Sequence, residues 1–239
     1  MIISLIHPSR SRPSQAKKTA EKWLHNSSGQ HEIEYIVSID KTDPQKENYI
    51  EQFSSAFYHI LCKENTCVVE AMNEGAKHST GEILICVSDD FDCPVNWDIT
   101  IVNAVSYNHC YVLKTFDGIQ KWIVTLGIMD RGYYESQGYF YHPSFRHMFV
   151  DADMTHKADL EGRLIIRNDI VFKHNHHSIG GSHKDLVNEI ADSTWKQGEE
   201  VYLQRVKEKF GLNVDDIFKV NSEAKPHLQW LKSKLRFQS

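Results

Sequence analysis

The stretch GEILICVSDDFDCP, residues 81–94, decides the fold of this chain and suggests its chemistry. Residues 82–88 are apolar with too little alternation for a half-exposed strand, so they predict a central strand covered on both faces. Asp89, Asp90 and Asp92 follow this strand directly. Carboxylates so close together repel one another unless a cation or a positively charged ligand neutralises them. The stretch therefore predicts a metal-binding acidic cluster at the end of a buried strand.

The segments before this strand alternate between strand and helix patterns. Branched apolar residues predict strands at residues 1–7, stopped by Pro8, and at residues 32–40. Apolar residues at helical spacing predict helices over residues 14–26, with Ser14 as the N-cap, over residues 49–61 and over residues 67–81. The first hundred residues thus predict the order strand, helix, strand, helix, helix, strand in a largely parallel sheet.

Composition excludes several classes of protein. The chain has 239 residues and a formal net charge of −5, which disfavours a protein that wraps duplex DNA, so nucleic acid is not the default partner. The five cysteines include no CxxC pair. The apolar stretch at the amino terminus is too short for a signal peptide. We therefore expect a cytoplasmic protein, peripheral at most at a membrane. No segment approaches the roughly 20 apolar residues of a membrane span, so we expect no stable membrane insertion.

Charged residues follow several of the predicted strands. Arg10 follows the first strand, Asp40 ends the second, and the acidic cluster follows the central one. Because ligands of open α/β sheets bind beyond the carboxyl ends of the strands, these residues predict one shared crevice. A nucleoside diphosphate with Mg²⁺ or Mn²⁺ would satisfy both signs of charge. The chain has no Gly-x-x-x-x-Gly-Lys-Ser loop and no Gly-x-Gly-x-x-Gly after the first strand, which disfavours kinases of that type and dehydrogenases.

These motifs resemble those of the family 2 glycosyltransferases, which have the GT-A fold. IHPSRSRP, residues 6–13, looks like the first strand and the arginine loop of that family. VSID followed by TDP is similar to its second strand, whose nucleotide-contacting acid would be Asp40. Residues 70–98 are close to its pattern of an Asn-x-Gly helix, Gly-Glu, an apolar strand and an acidic metal motif.

The resemblance implies an α/β protein with a mostly parallel central sheet flanked by helices. It implies a single GT-A domain over residues 1–239, in which residues 1–100 form the nucleotide-sugar-binding half and 101–190 the acceptor-binding and catalytic half. Residues 191–239 are expected to form a C-terminal helical segment. The donor-binding residues implied by the resemblance are Pro8, Ser9, Arg10, Asp40, Asn73, Ser88, Asp89 and Asp90.

The second half of the chain supplies candidates for the base and for further metal ligands. Residues 133–177 resemble the family's acceptor side, where a carboxylate acts as general base. Such a base is needed because an acceptor hydroxyl is a poor nucleophile until a carboxylate takes its proton. Either Asp151 or Asp153 would take this role, with Asp153 slightly preferred. The metal ligands would be Asp90, Asp92 and His174, with His176 as the alternative histidine.

The resulting prediction is an inverting, metal-dependent glycosyltransferase of hexosyltransferase type. It would use Mn²⁺ or Mg²⁺ and transfer a sugar from a nucleotide-diphosphate donor, with a UDP-sugar favoured, to a hydroxyl acceptor. The acceptor would be a glycan, a lipid-linked glycan or another hydroxyl compound. Two alternatives stay open. A metal-dependent nucleotidyltransferase would use the same acidic cluster, and a non-catalytic nucleotide- or glycan-binding module would need no base.

Overall fold

A seven-stranded mixed sheet forms the centre of the protein. The computed structural model describes residues 1–105, 108–175 and 185–212. The strands in chain order are β1 (Ile2–Pro8), β2 (Glu32–Asp40), β3 (Tyr58–Lys63), β4 (Ile83–Cys86), β5 (Phe91–Asp92), β6 (Val112–Phe116), β7 (Ile128–Asp130), β8 (Leu164–Val171) and β9 (Lys173–His174). Their order across the main sheet is β3-β2-β1-β4-β7-β6-β8, and β5 and β9 pair separately.

Strand β4 lies in the middle of the main sheet, as the apolar run predicts. Strands β1, β2, β3 and β4 pair in parallel, and so do β6 and β8. Strand β7 runs antiparallel between β4 and β6. Ile83, Leu84 and Ile85 of β4 are all buried. The expectation of a mostly parallel sheet with β4 covered on both faces is therefore confirmed.

Helices cover both faces of this sheet. They are α1 (Pro13–His25), α2 (Lys46–Gln52), α3 (Val68–His78), α4 (Trp97–Val105), α5 (Arg131–Gln137), α6 (Val150–Leu160), α7 (Leu186–Ser193) and α8 (Trp195–Lys207). Leu5 of β1 belongs to the core cluster that contains Trp23 and Trp97 of α1 and α4. The next residue, Ile6, belongs to the opposite cluster with Met72 of α3. This alternation along β1 produces the two apolar layers. No helix in the described ranges is long and apolar enough to cross a membrane.

Two sequence predictions are wrong in the first half. The helix predicted over residues 49–61 ends at Gln52, and Tyr58–Lys63 form the edge strand β3. Tyr58 and Ile60 pack against the core from this edge, so tertiary contact overrides the helical spacing. Ser14 is not an N-cap either, because α1 begins at Pro13. Proline suits the first helical position, where its missing N–H would have no partner in any case.

Helix α8 packs closely on the backbone that leads into α6. A Cβ atom built on Gly198 would lie 2.4 Å from the carbonyl oxygen of Met148. Met148 precedes Phe149, the residue before α6, which has a left-handed φ of 72°. The absence of a side chain at Gly198 therefore allows α8 to support this turn. Residues 213–239, which include most of the predicted C-terminal helical segment, lie outside the described ranges.

We expect Gly198→Ala to lower the free energy of unfolding by about 1–3 kcal/mol, because the new methyl group overlaps a backbone oxygen. This loss should exceed the ~1 kcal/mol that alanine gains over glycine in a helix. Chemical denaturation measures the change. Glu200→Ala, an exposed site on the same helix, is the control and should stay within about 0.5 kcal/mol of the wild type. An alanine variant as stable as the wild type would contradict the close contact.

Candidate functional site

The acidic cluster and the histidine segment meet in a small two-stranded sheet. Strands β5 and β9 are antiparallel, with Phe91 opposite His174 and Asp92 opposite Lys173. The backbone N–H of Asn175 also donates to the carbonyl oxygen of Asp90 at 2.8 Å. Two segments more than 80 residues apart in the sequence are thus joined by backbone hydrogen bonds. The pairing brings Asp90 and His174 together, while the alternative ligand His176 lies outside the described residues.

His174 lies between two carboxylates. Its Nε2 is 3.2 Å from Oδ2 of Asp90, and its Nδ1 is 3.9 Å from Oδ2 of Asp117. The imidazole ring stacks on Phe91 with the ring centroids 4.2 Å apart. Ser88 donates its hydroxyl hydrogen to the other oxygen of Asp90. The histidine therefore has a charged partner at each ring nitrogen and an apolar surface beneath it.

The pKa values of these three groups reflect their mutual contacts. Burial by itself lowers the pKa of His174, but the interactions with Asp117 and Asp90 raise it to about 9. Burial raises the pKa of Asp90, yet His174 and Ser88 lower it to about 2. The pKa of Asp117 also falls to about 2, because His174 and backbone N–H groups outweigh burial. At neutral pH the metal-free protein therefore holds an imidazolium between two carboxylates.

Asp117 was not among the residues predicted from the sequence. It directly follows β6, which runs parallel to β4 and so ends at the same edge of the sheet. The side chain is 2% exposed. The segment YVLKTF before Asp117 was the available signal, since an acidic residue at the end of a mostly apolar strand is a candidate for the crevice.

Asp89, a predicted donor-binding residue, forms hydrogen bonds with other side chains of the protein. Its Oδ1 lies 2.9 Å from Nε2 of His7, and Oγ of Ser9 donates to it at 3.1 Å. Arg12 lies 3.8 Å away. Ser9 in turn bonds to the hydroxyl of Tyr49 at 2.7 Å. This buried network joins the ends of β1 and β4 beneath the crevice.

Asp92 pairs with a lysine of α1. Its Oδ1 is 2.5 Å from Nζ of Lys22, and the side chain is 37% exposed. A cleft of about 200 Å³ lies beside this pair and is lined by Gln15, Lys18, Thr19, Lys22, Asp89, Asp90, Asp92 and Asn175. Within the described ranges, no three His, Cys, Asp or Glu side chains converge closely enough to hold a metal ion as they stand.

The chemistry of the side chains nevertheless fits Mg²⁺ or Mn²⁺. Asp90 and His174 bring a carboxylate oxygen and an imidazole nitrogen within 3.2 Å of each other. Carboxylate oxygens with one imidazole are suitable ligands for Mn²⁺, and Mg²⁺ sites commonly combine one or two carboxylates with substrate phosphates. Asp90 and His174 therefore suit a divalent metal ion as ligands. Asp92 lies two residues after Asp90 in the sequence.

The predicted nucleotide residues Arg10 and Asp40 lie together. Nη1 of Arg10 is 3.1 Å from Oδ2 of Asp40, at the carboxyl ends of β1 and β2. Arg10 is substantially exposed, and it lies two residues beyond Pro8, the last residue of β1. Thr42 donates both its backbone N–H and its hydroxyl to Asp40. The pair therefore forms an accessible polar rim of the crevice.

Asn73, also predicted to bind the donor, holds a neighbouring segment. Its amide oxygen accepts the backbone N–H groups of Phe140 and Tyr141 at 2.9 Å. Its amide nitrogen donates to the carbonyl oxygen of Tyr141 at 2.7 Å. The amide oxygen and the amide nitrogen of Asn73 thus both form hydrogen bonds that join α3 to the segment before α6.

The two candidate bases have different environments. Asp151 and Asp153 both lie in the first turn of α6. Asp153 is 2% exposed and forms a bidentate ion pair with Arg205, with contacts of 2.5 and 3.2 Å. Asp151 accepts the N–H of Ala152, and burial raises its pKa. The charges of Asp117 and His174 also act on the Asp151 pKa, the first raising it and the second lowering it.

Comparison with known proteins identifies the fold. No protein-family model and no curated protein matches the chain. Staphylococcus aureus TarS 1–349 in complex with UDP-GlcNAc has a TM-score of 0.60 and 15% identity, covering 95% of this chain and 78% of that one. The mannosyltransferase PcManGT from Pyrobaculum calidifontis, in complex with GDP-Man and Mn²⁺, has a TM-score of 0.56 and 12% identity, covering 98% and 79%. The chain has the GT-A fold, as the sequence resemblance predicts.

We expect Asp153→Asn to destabilise the protein strongly, by about 3–5 kcal/mol, because it leaves the buried Arg205 without its counter-ion. The double variant Asp153→Asn with Arg205→Met should recover part of this loss. A double-mutant cycle in chemical denaturation measures the coupling. Asp169→Asn removes an exposed carboxylate paired with Arg167 and is the matched control. Independent, additive effects at residues 153 and 205 would contradict a structural ion pair.

We also expect the stability that His174 contributes in the metal-free protein to depend on pH. Because its folded-state pKa is raised from 6.5 to about 9, the contribution is complete below pH 6.5 and is lost as pH rises through 9. The stability advantage of the wild type over His174→Gln should therefore shrink by about 3 kcal/mol up to about pH 10. Denaturation in a chelator, at several pH values, tests this. A constant difference between the two proteins would contradict the ion-pair arrangement.

Proposed function

We propose that this protein is a glycosyltransferase that transfers a sugar from a nucleotide-diphosphate donor to a hydroxyl acceptor, with inversion and with Mn²⁺ or Mg²⁺. The observation that carries the proposal is the contact between Asp90 and His174 at the carboxyl edge of a GT-A sheet. A divalent cation at this edge would neutralise the negative charge that develops on the departing diphosphate. Asp90, Asp92 and His174 are the residues that would hold it.

The donor side of the crevice suits a nucleotide. Arg10 offers an exposed guanidinium for the diphosphate or the base, and Asp40 offers carboxylate oxygens for the nucleoside. The similar structures support this class of donor, since TarS is seen with UDP and UDP-GlcNAc and PcManGT with GDP-Man. A UDP-sugar is the favoured donor. The acceptor is a glycan, a lipid-linked glycan or another hydroxyl compound.

Asp151 is the better candidate for the general base. Burial raises the pKa of both carboxyl groups, but both oxygens of Asp153 are held by Arg205. Asp151 has no such ion pair among the residues that the structure describes, and a raised pKa makes an ionised carboxylate a stronger base. A proton taken from an acceptor hydroxyl by Asp151 leaves an oxygen able to attack the anomeric carbon. A single displacement of this kind inverts the configuration.

Thermal stability with nucleotide-sugars tests the donor site. A panel of UDP- and GDP-sugars, each with and without Mn²⁺, should contain one donor whose stabilisation needs the metal. A donor at 100 times its Kd should stabilise the protein by about 2.7 kcal/mol. Asp90→Asn should abolish this shift, and Asp169→Asn should preserve it. A folded protein that no nucleotide stabilises would refute the donor site.

Release of the nucleoside diphosphate from the identified donor tests the base, with water and a panel of glycans as acceptors. Asp151→Asn should reduce turnover by about 10²–10⁴-fold while donor binding persists. Folded Asp153→Asn protein, assayed at low temperature, should retain turnover. Normal turnover in Asp151→Asn would refute the assigned base. Pyrophosphate release from a nucleoside triphosphate would indicate a nucleotidyltransferase, and donor binding without turnover would indicate a binding module.

A further inference from the structure

The carboxylate of Asp117 has one oxygen in use and one directed at His174. Its Oδ1 accepts the backbone N–H groups of Ile119 and Gln120 at 2.7 and 2.5 Å, which closes a tight turn after β6. Its Oδ2 is buried and has no hydrogen-bond partner in the described part of the chain. Nδ1 of His174 lies 3.9 Å from this oxygen, about 1 Å beyond hydrogen-bond distance.

A buried lysine forms hydrogen bonds with the backbone of this turn. Lys114 is fully buried on β6, and its Nζ donates to the carbonyl oxygens of Thr115 and Gln120 at 2.5 and 2.7 Å. Burial outweighs the nearby charge of Asp117 and lowers the pKa of Lys114 to about 8. The ammonium group is thus directed at the backbone of the turn, and its hydrogen bonds hold residues 117–120 in place.

Backbone hydrogen bonds also join the turn to the histidine segment. The N–H of Phe172 donates to the carbonyl oxygen of Phe116, and the N–H of His174 donates to that of Asp117, each at 2.9 Å. The positions of Asp117 and His174 relative to each other are therefore set by main chain on both sides. The ring of His174 stacks nearly parallel on Phe91, at 18°. A shift of about 1 Å would bring Nδ1 within hydrogen-bond distance of Oδ2 of Asp117.

A turn alone does not account for a carboxylate at this position. Asparagine closes the same kind of turn with its amide oxygen and carries no charge. Burying a carboxylate costs free energy unless the charge is paired. Lys114 donates to the carbonyl oxygens of Thr115 and Gln120, whereas Nδ1 of His174 lies 3.9 Å from Oδ2. The negative charge is therefore directed at the histidine.

We propose that Asp117 is a positioning residue for His174: it accepts the hydrogen of Nδ1, so that Nε2 is the ring nitrogen presented to Asp90 and to the metal. This inference rests on the proposed function, in which His174 is a metal ligand. Histidines that bind metals usually donate the other ring N–H to a carboxylate or carbonyl, which sets the tautomer and the ring orientation. Here the carboxylate follows β6 and the histidine belongs to β9.

The test uses Asp117→Asn, since the asparagine oxygen still accepts the N–H groups of Ile119 and Gln120. In the wild type with UDP and Mg²⁺, a diamagnetic ion, ¹⁵N NMR of labelled imidazoles should show His174 with its hydrogen on Nδ1. In the variant this tautomer should be lost. The affinity for Mn²⁺ in the presence of UDP, measured by electron paramagnetic resonance of free Mn²⁺, should fall by about 10–100-fold.

Two further variants separate positioning from general damage. Asp169→Asn, which removes an exposed carboxylate, should leave both the tautomer and the Mn²⁺ affinity unchanged. In a His174→Gln background, Asp117→Asn should cause no additional loss of affinity, because Asp117 acts through the histidine. An unchanged tautomer and affinity in folded Asp117→Asn, or an equal loss in both backgrounds, would overturn the proposal.

The outcomes also distinguish this inference from the proposed function. If the wild type binds no Mn²⁺ with or without nucleotide, the proposed function fails at its metal. If the wild type binds Mn²⁺ and Asp117→Asn binds it equally well, only the positioning role fails. If Asp117→Asn does not fold, the wild-type spectrum decides, because a hydrogen on Nε2 in the presence of Mg²⁺ and UDP would overturn the role of Asp117.

Discussion

Neutralisation of buried carboxylates at one edge of the sheet is the constraint on which the rest of the structure depends. Parallel strands direct their carboxyl ends to the same edge, so Asp89, Asp90 and Asp117 are concentrated there. Each has a cationic or hydrogen-bonding partner from another element, because an unpaired charge in the interior is costly. Asp89 has His7, whereas Asp90 and Asp117 share His174.

The three neighbouring acids of the motif differ in the contacts that their carboxylates make within the protein. Asp89 bonds to His7 and Ser9 and so joins the ends of β1 and β4. Asp90 contacts His174, and Asp92 of β5 contacts Lys22 near the surface. The side chains of Asp90 and Asp92 are 21% and 37% exposed, compared with 7% for Asp89. Three neighbouring carboxylates in one motif therefore have three different environments.

The second half of the chain is held over this edge by a few specific contacts. Asn73 anchors the segment before α6 through three hydrogen bonds. The ion pair between Asp153 and Arg205 joins α6 to α8, and the close approach at Gly198 fits α8 against the same region. Together these contacts position the first turn of α6, which contains Asp151.

The sequence by itself determined the central strand, the mostly parallel sheet and the acidic motif, because a continuous apolar run followed by acids is a local pattern. The helix predicted over residues 49–61 was wrong because the apolar residues of an edge strand there have a spacing that a helix would also show. Only the pairing of β3 with β2 shows that this segment is a strand. Asn73 and Asp153 have chemical groups that suit either a ligand or a structural contact, and only the tertiary structure shows that Phe140 and Arg205 are their partners. Asp117 reaches His174 because β6 and β9 meet through backbone hydrogen bonds between residues distant in sequence. The local sequence thus specified which polar side chains are present. Contacts between residues distant in sequence decided which of these side chains bond within the protein.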